Sequence, residues 1–325
     1  MGNSLSLCPE SWRLGEIKRQ GEMGRECEHH PCILIYDLHI ECGNSCRSAV
    51  IWKYVQKHPE ALAQADFGYL PLHKLLANRI SSTEDALLMM EKYPAALQHQ
   101  NSHGVPLHLE CKNQCRSAII RKCIELYPEA LAEADKDGYL PLHRLLENEF
   151  SSVEDALLMM EKYPAALQHP KWSPLCIECK NQCRSVIIRK CIELCPEALT
   201  IAKNDGYLPL HRLLANKNSA TEDALMIIEA YPATLGHSTV HGDRPLHIEC
   251  KNHCRSSIIR KCIDLCPESV TIVGKDGYLP LHRLLHSKSS IGDALLMMEK
   301  TPLALQFRCS SGSVSYTHLT LPTNR

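Results

Sequence analysis

At 325 residues the chain has the length of about two globular domains. Its 36 basic residues against 37 acidic ones leave a net charge of -1, which excludes a strong global pull toward nucleic acid or anionic lipid. An apolar fraction of 44% suits a packed interior, aromatics at 5% make that interior aliphatic, and no apolar run nears the ~20 residues of a membrane-spanning helix.

In chain order, Met1-Gly2-Asn3-Ser4-Leu5-Ser6 comes first and fits the N-myristoylation pattern, with Gly2 as the acceptor and Ser6 at the required place. One acyl chain anchors only marginally, so Cys8 is the candidate for a second. Membrane association through this segment is therefore an expectation beside a cytoplasmic location. Next, Cys27-Glu28-His29-His30-Pro31-Cys32 gathers four soft ligands in six residues. Zinc takes Cys and His, but the cramped spacing favours a plain lead-in segment, and no metal site is assigned.

From Asp37 onward the chain repeats. Gly138-Tyr139-Leu140-Pro141-Leu142-His143 recurs letter for letter at Gly68–His73, Gly206–His211 and Gly277–His282. A looser motif alternates with it: Asp37–Cys42, Pro106–Cys111, Pro174–Cys179 and Pro245–Cys250. The motif positions His39, His73, His108, His143, Cys176, His211, His247 and His282 lie 33 to 36 residues apart, which makes eight units of two alternating types. A fixed period of this size marks a repeat architecture and outranks the domain count from length.

In the first type, Pro106–Cys111 predicts a short helix and Lys112-Asn113-Gln114 a turn. Ile119, Ile120, Cys123 and Ile124 then line one stripe of a second helix, which Tyr127-Pro128 stops. In the second type, proline opens the short helix at Pro141, where its missing amide costs nothing. Ser151–Glu154 reads as a capping box, echoed at Ser81–Glu84 and Ser219–Glu222. The helix from Asp155 to Met160 is apolar nearly all round, as a helix between two neighbours should be. The expected unit is helix, turn, helix, then an extended loop carrying Gly and Asp to the next motif.

These residues resemble the ankyrin repeat, which has a period near 33, two antiparallel helices and a Thr-Pro-Leu-His-x-Ala opening. Leu140-Pro141-Leu142-His143 matches that opening with Leu for Thr, and Lys136-Asp137-Gly138 matches the turn of its finger loop. The departures are a longer turn between helices and a Tyr-Pro-Glu-Ala helix stop. The resemblance implies an all-α, ankyrin-like solenoid of about eight helix-turn-helix units. The expected domains are a leader over 1–31, repeats over 32–312, and a segment over 313–325 that reads as the translation of a transposon-end sequencing adapter. On that reading the natural protein continues beyond about Gly312.

The chemistry-bearing residues favour structure over catalysis. The 18 cysteines read as reduced, because no apolar secretory segment opens the sequence and most of them stand at helix-like spacing. His108, Cys111, Cys115 and Cys123, with His247, Cys250, Cys254 and Cys262, mimic a zinc set, but Cys176 and Tyr54 break the pattern and packing explains the thiols. The motif histidines are expected to tie the loops between units. No nucleophile elbow, phosphate loop or dinucleotide fingerprint occurs, so neither enzymatic activity nor a cofactor is expected. Arg47, Arg116, Arg184 and Arg255 form a row that reads as a solvated outer face, answered by Glu84, Glu154 and Glu222.

The resemblance makes the finger-loop position four before the motif histidine a variable, partner-facing one on the concave side. That row holds Tyr69, Gly104, Tyr139, Trp172, Tyr207, Asp243 and Tyr278. Tyr and Trp dominate binding hot spots, which makes Tyr69, Tyr139, Trp172, Tyr207, Asp243 and Tyr278 the candidate partner-binding residues. The opposing reading packs each tyrosine on its neighbour's loop. The functional expectation is a non-enzymatic scaffold that binds a protein partner, with no small-molecule substrate. The alternatives are a lipid-anchored adaptor, or a regulatory fragment of a larger enzyme or channel.

Overall fold

The computed structural model describes residues 38–169, 173–202, 205–287 and 291–302. The chain divides into two compact units, Met1–Ala96 and Leu97–Arg325. The first holds repeats one and two, the second repeats three to eight.

Within the first unit, a π-helical turn Glu41–Ser45 precedes helix α1, Ser48–Lys57, then α2, Pro71–Ala77, and α3, Thr83–Lys92. The second unit continues with α4, Pro106–Asn113, α5, Ser117–Leu126, α6, Pro141–Glu147, α7, Val153–Lys162, and α8, Pro174–Lys180. After these come α9, Ser185–Leu194, α10, Pro209–Ala215, α11, Thr221–Ala230, α12, Pro245–Asn252, α13, Ser256–Leu265, α14, Pro280–His286, and α15, Ile291–Lys300. First helices pack on first helices and second helices on second helices, in sequence order within each unit. This is the all-α, ankyrin-like repeat that the sequence implies. The interior is aliphatic as expected, with Leu142, Leu145, Ile187 and Ile227 at most 2% exposed.

Several local expectations change. The stretch after each helix stop is not simply extended. Each Pro-x-Ala-Leu-like segment winds into a 3₁₀ turn, such as Pro128–Ala132, that inserts Ala130 and Leu131 into the core. The serine cap lies one residue later than the Ser151–Glu154 spacing suggests. Ser152 is the N-cap of α7 and accepts the Asp155 amide at 3.0 Å, as Ser82 does from Asp85. In the third copy Ala220 takes the cap position and gives no side-chain bond.

The charge pairing also differs. Arg116 does not answer Glu154. Its partner is Glu110, six residues back on the fully buried face of α4. Glu110 Oε1 accepts the Arg116 backbone amide at 2.7 Å and Nε at 3.0 Å, while Oε2 accepts Nη2 at 2.7 Å. Arg184–Glu178 and Arg255–Glu249 repeat this fork, and so does Arg47–Glu41. The cause is the residue between them. Cys115, Cys183 and Cys254 take φ of +53 to +54° and Cys46 takes +47°. That left-handed turn folds the second helix back over the first, so the glutamate caps the amide end of α5, where the helix dipole favours an anion. Arg184 and Arg255 are only 15% exposed and Arg116 14%, so these three are internal fastenings, while Arg47 stays 67% exposed.

Two further sets of bonds join successive repeats. Ser117 and Ser185 donate to the buried carboxylates of Asp155 and Asp223 on the next second helix, at 2.5 Å each, and Ser48 reaches Asp85 at 2.6 Å. Asn148 Nδ2 spans the last carbonyls of α4, reaching Cys111 O at 3.2 Å, Lys112 O at 2.9 Å and Asn113 O at 3.4 Å. Asn78 and Asn216 do the same for their preceding repeats. The long turn between helices thus exists to carry an asparagine that closes its neighbour's helix end, where orphan carbonyls need donors.

Candidate functional site: the finger-loop tyrosines

The finger loop before α6 turns on Gly138 at φ +84°, which a side-chain-bearing residue rarely adopts. Asp135 organises the tip. Its Oδ1 accepts the amides of Asp137 and Tyr139, both at 2.9 Å, and its Oδ2 accepts Arg144 Nε at 2.9 Å and Nη2 at 2.6 Å. Burial alone would raise the Asp135 pKa, but the Tyr139 amide and Arg144 outweigh it and hold the carboxyl below its ordinary value. The Arg144 guanidinium lies over the Tyr139 ring at 4.0 Å from its centroid. On another side the ring meets His143 edge-on, at 6.1 Å between centroids. The ring is half-buried, with Arg144 and His143 of its own repeat against it.

The cluster recurs with variations. Tyr207 lies 4.3 Å beneath Arg212, which bonds Asp205. Tyr278 meets His282 edge-on, and Arg283 Nη2 joins Asp276 at 2.8 Å. Tyr69 lies 4.8 Å beneath Lys74, whose ammonium is 4.0 Å from Asp66. That first finger is one residue shorter, with Phe67 where the others have two residues. The shortening puts Phe67 itself at φ +48° and leaves it 96% exposed.

The remaining candidates fall out differently. Asp243 is no open contact: Arg283 of the following repeat donates to its Oδ1 at 2.7 Å. Burial nonetheless raises the Asp243 pKa, outweighing that cation. Trp172, and the lipidation candidates Gly2 and Cys8, lie outside the described residues. Sequence alone did not single out the cation five residues after each tyrosine, Lys74, Arg144, Arg212 and Arg283. Its fourfold recurrence was the available signal.

Four motif histidines, His39, His108, His211 and His247, tie their unit to a backbone carbonyl of the following loop, as expected. In His211, Nδ1 accepts the Leu208 amide at 3.2 Å and Nε2 donates to His237 O at 3.2 Å. In His247, the partners are the Arg244 amide at 3.3 Å and Ile272 O at 3.0 Å. An accepting Nδ1 and a donating Nε2 define one neutral tautomer, and burial lowers both pKa values to about 4. Cys176, the one replacement, points its thiol at Ile201 O at 3.7 Å.

Two thiols at the left-handed turns are poor nucleophiles. Burial raises Cys115 and Cys183 to about 12, while attack requires the thiolate. Among the described residues no group of three His, Cys, Asp or Glu side chains could hold a metal ion. None of the described helices is long and apolar enough to cross a membrane. What the finger loops do supply is rigid, half-exposed aromatic surface with charged groups fixed beside it.

Fold and site together define an ankyrin-like helical repeat chain with aromatic finger loops. The ankyrin repeat domain of Bcl-3, a unique member of the IkappaB protein family, aligns with a TM-score of 0.50 at 18% identity, covering 71% of this chain and 97% of that one. At that identity the likeness speaks for the fold alone. No protein-family profile matches the chain, and no curated protein does.

Proposed function

We propose that this chain is a non-enzymatic interaction scaffold that binds a protein partner along the face made by its finger loops and first helices, the concave side in ankyrin-like repeats. The observation that carries this reading is the recurrence of one tyrosine–cation–aspartate cluster at the equivalent place in every second-type repeat. Adjacent loops in the second unit are also tied through backbone, Val240 N to Asp205 O at 3.1 Å and Lys275 N to His241 O at 3.0 Å. Such a row presents flat aromatic surface at low entropic cost, because the rings are already held. Tyr and Arg are the side chains on which interface energy concentrates.

The test replaces Tyr139 and Tyr207 together by alanine and measures crosslinked protein partners quantitatively beside the melting temperature. Lost partners with a largely kept melting temperature support the scaffold face. Unchanged partners with a lost melting temperature refute it, since the tyrosines would then serve packing only.

A further inference from the structure

Inside the second unit, two junctions between a first-type repeat and the second-type repeat after it carry the same four basic side chains. At the junction of repeats three and four these are His103 at the tip of one finger loop, Lys112 at the end of α4, Lys136 at the tip of the next finger and Arg144 on α6. At the junction of repeats seven and eight they are His241, Lys251, Lys275 and Arg283. The groups converge. Desolvation of the His103 ring, and after it the charges of Lys112, Lys136 and Arg144, holds its pKa below the ordinary value. Burial dominates at Asp243, and the charges of Arg283, Lys251 and His241 also act on it from the corresponding places. Between these junctions α8 and α10 repeat the pattern in part, with Lys180 and Arg212.

The arginines and the lysines of this face play different parts. The arginines are turned onto the face's own carboxylates. Arg144 holds Asp135 at 2.6 Å, Asp137 at 3.2 Å and Glu147 at 3.5 Å, Arg283 holds Asp243 at 2.7 Å and Asp276 at 2.8 Å, and Arg212 holds Asp205. Lys112, Lys136, Lys180, Lys251 and Lys275 are exposed and pair with no carboxylate among the described residues. Five lysines and three arginines thus meet six carboxylates, an excess of two positive charges on one face of a chain whose net charge is -1.

Resting on the scaffold reading above, we propose that this face receives an extended acidic segment of a protein partner, whose carboxylates meet the outward lysines of the first helices and finger tips. Lysines two repeats apart are separated by two helix-to-helix steps, ~20 Å, which spans about six residues of extended chain. The acidic positions of the segment therefore recur at about that interval. Complementary charge along the face supplies encounter rate and register. A nucleic acid fits it less well. Sequence-tolerant strand binding stacks bases on open aromatic faces, and here Arg144 and Arg212 already lie over the Tyr139 and Tyr207 rings at 4.0 and 4.3 Å. An excess of two charges is also small beside a backbone charged at every nucleotide.

Fluorescence anisotropy of the full chain with labelled synthetic peptides tests this. The probe is a serine–glycine peptide with a glutamate pair about every six residues. Its comparison peptide has the same composition with all the glutamates in one block. The spaced peptide should bind, and more tightly than the block. Lys112→Glu together with Lys251→Glu should weaken it about tenfold or more, because both changes set like charges against it. Lys112→Gln with Lys251→Gln removes the charges without reversing them and should weaken it less. Lys122→Glu, on the second-helix layer and beside Glu125, should leave it unchanged. Both face positions are exposed, so unchanged circular dichroism melts will show that folding is intact. A chain that binds neither peptide, that binds the block as tightly, or whose binding the paired charge reversal does not weaken overturns the proposal. So does tighter binding of an oligouridylate of equal length, which would give the face to nucleic acid. Crosslinked partners that are lost on replacing Tyr139 and Tyr207, in a chain that ignores the acidic peptide, would keep the scaffold and refute its acidic partner alone.

Discussion

At the scale of single residues, the fold rests on positions where chemistry leaves one choice. Gly104 has φ +94°, and a Cβ there would lie 2.7 Å from the ring of His108. Gly104→Ala should therefore destabilise the chain by more than about 1 kcal/mol in urea unfolding, whereas Gly43→Ala, with nothing within 4 Å, should change it by less than about 0.5 kcal/mol. The histidine joints make a second prediction. His211 and His247 fall to about 4 in the folded chain because burial disfavours their charged form, while the unfolded chain keeps the ordinary value near 6.5. Between those values the unfolded state binds more protons. Stability is then complete above about pH 6.5 and is lost as pH falls toward about 4. Each histidine contributes up to about 3 kcal/mol to that loss. Urea midpoints from about pH 7 to about pH 5 should fall steeply, and His247→Gln should flatten the slope. A midpoint independent of pH over this window would refute the neutral-joint account.

At the scale of elements, the helix caps differ between copies that are otherwise alike, which gives a natural comparison. Ser82 and Ser152 accept the third amide of their helices, and Ala220 cannot. Ala220→Ser should stabilise the chain by about 1 kcal/mol and Ser152→Ala should cost about the same, read as shifts in the denaturation midpoint. This element also shows what a sequence discloses. The period, the proline starts, the helix stops and the histidine joints were legible, because each is a local signal repeated in register. The cap register was off by one, since Ser151 and Ser152 are both acceptable caps and only the backbone decides between them. The Glu110–Arg116 fork was hidden for a different reason. A separation of six places two residues on different faces of a helix, and only the left-handed backbone at Cys115 brings them together. The tyrosine row was legible as a row, but its packing was not, because Arg144 reaches the Tyr139 ring from the next helix.

At the scale of the whole molecule, a repeat array holds together by its nearest-neighbour terms, since each repeat buries its face only against the next. The asparagine of the second-type turn is the clearest such term. One amide, Asn148 Nδ2, serves three carbonyls at the end of α4, and its Oδ1 accepts the Phe150 amide at 3.0 Å within its own turn. The side chain therefore belongs energetically to two repeats at once. Asn148→Ala leaves partly buried carbonyls without a donor and should cost about 1–3 kcal/mol. If the bond couples repeats, hydrogen exchange should quicken at the end of α4 as well as in the turn before α7, because opening either side then requires opening both. Asn148→Asp should cost more than the alanine change, since it sets a carboxylate against the negative end of the α4 dipole, and part of that excess should return on acidification. A purely local role predicts another pattern, with faster exchange confined to residues 148–151 and α4 unaffected. The same measurement on Asn216, which spans Cys179 O, Lys180 O and Asn181 O, should move the end of α8 and leave α4 alone.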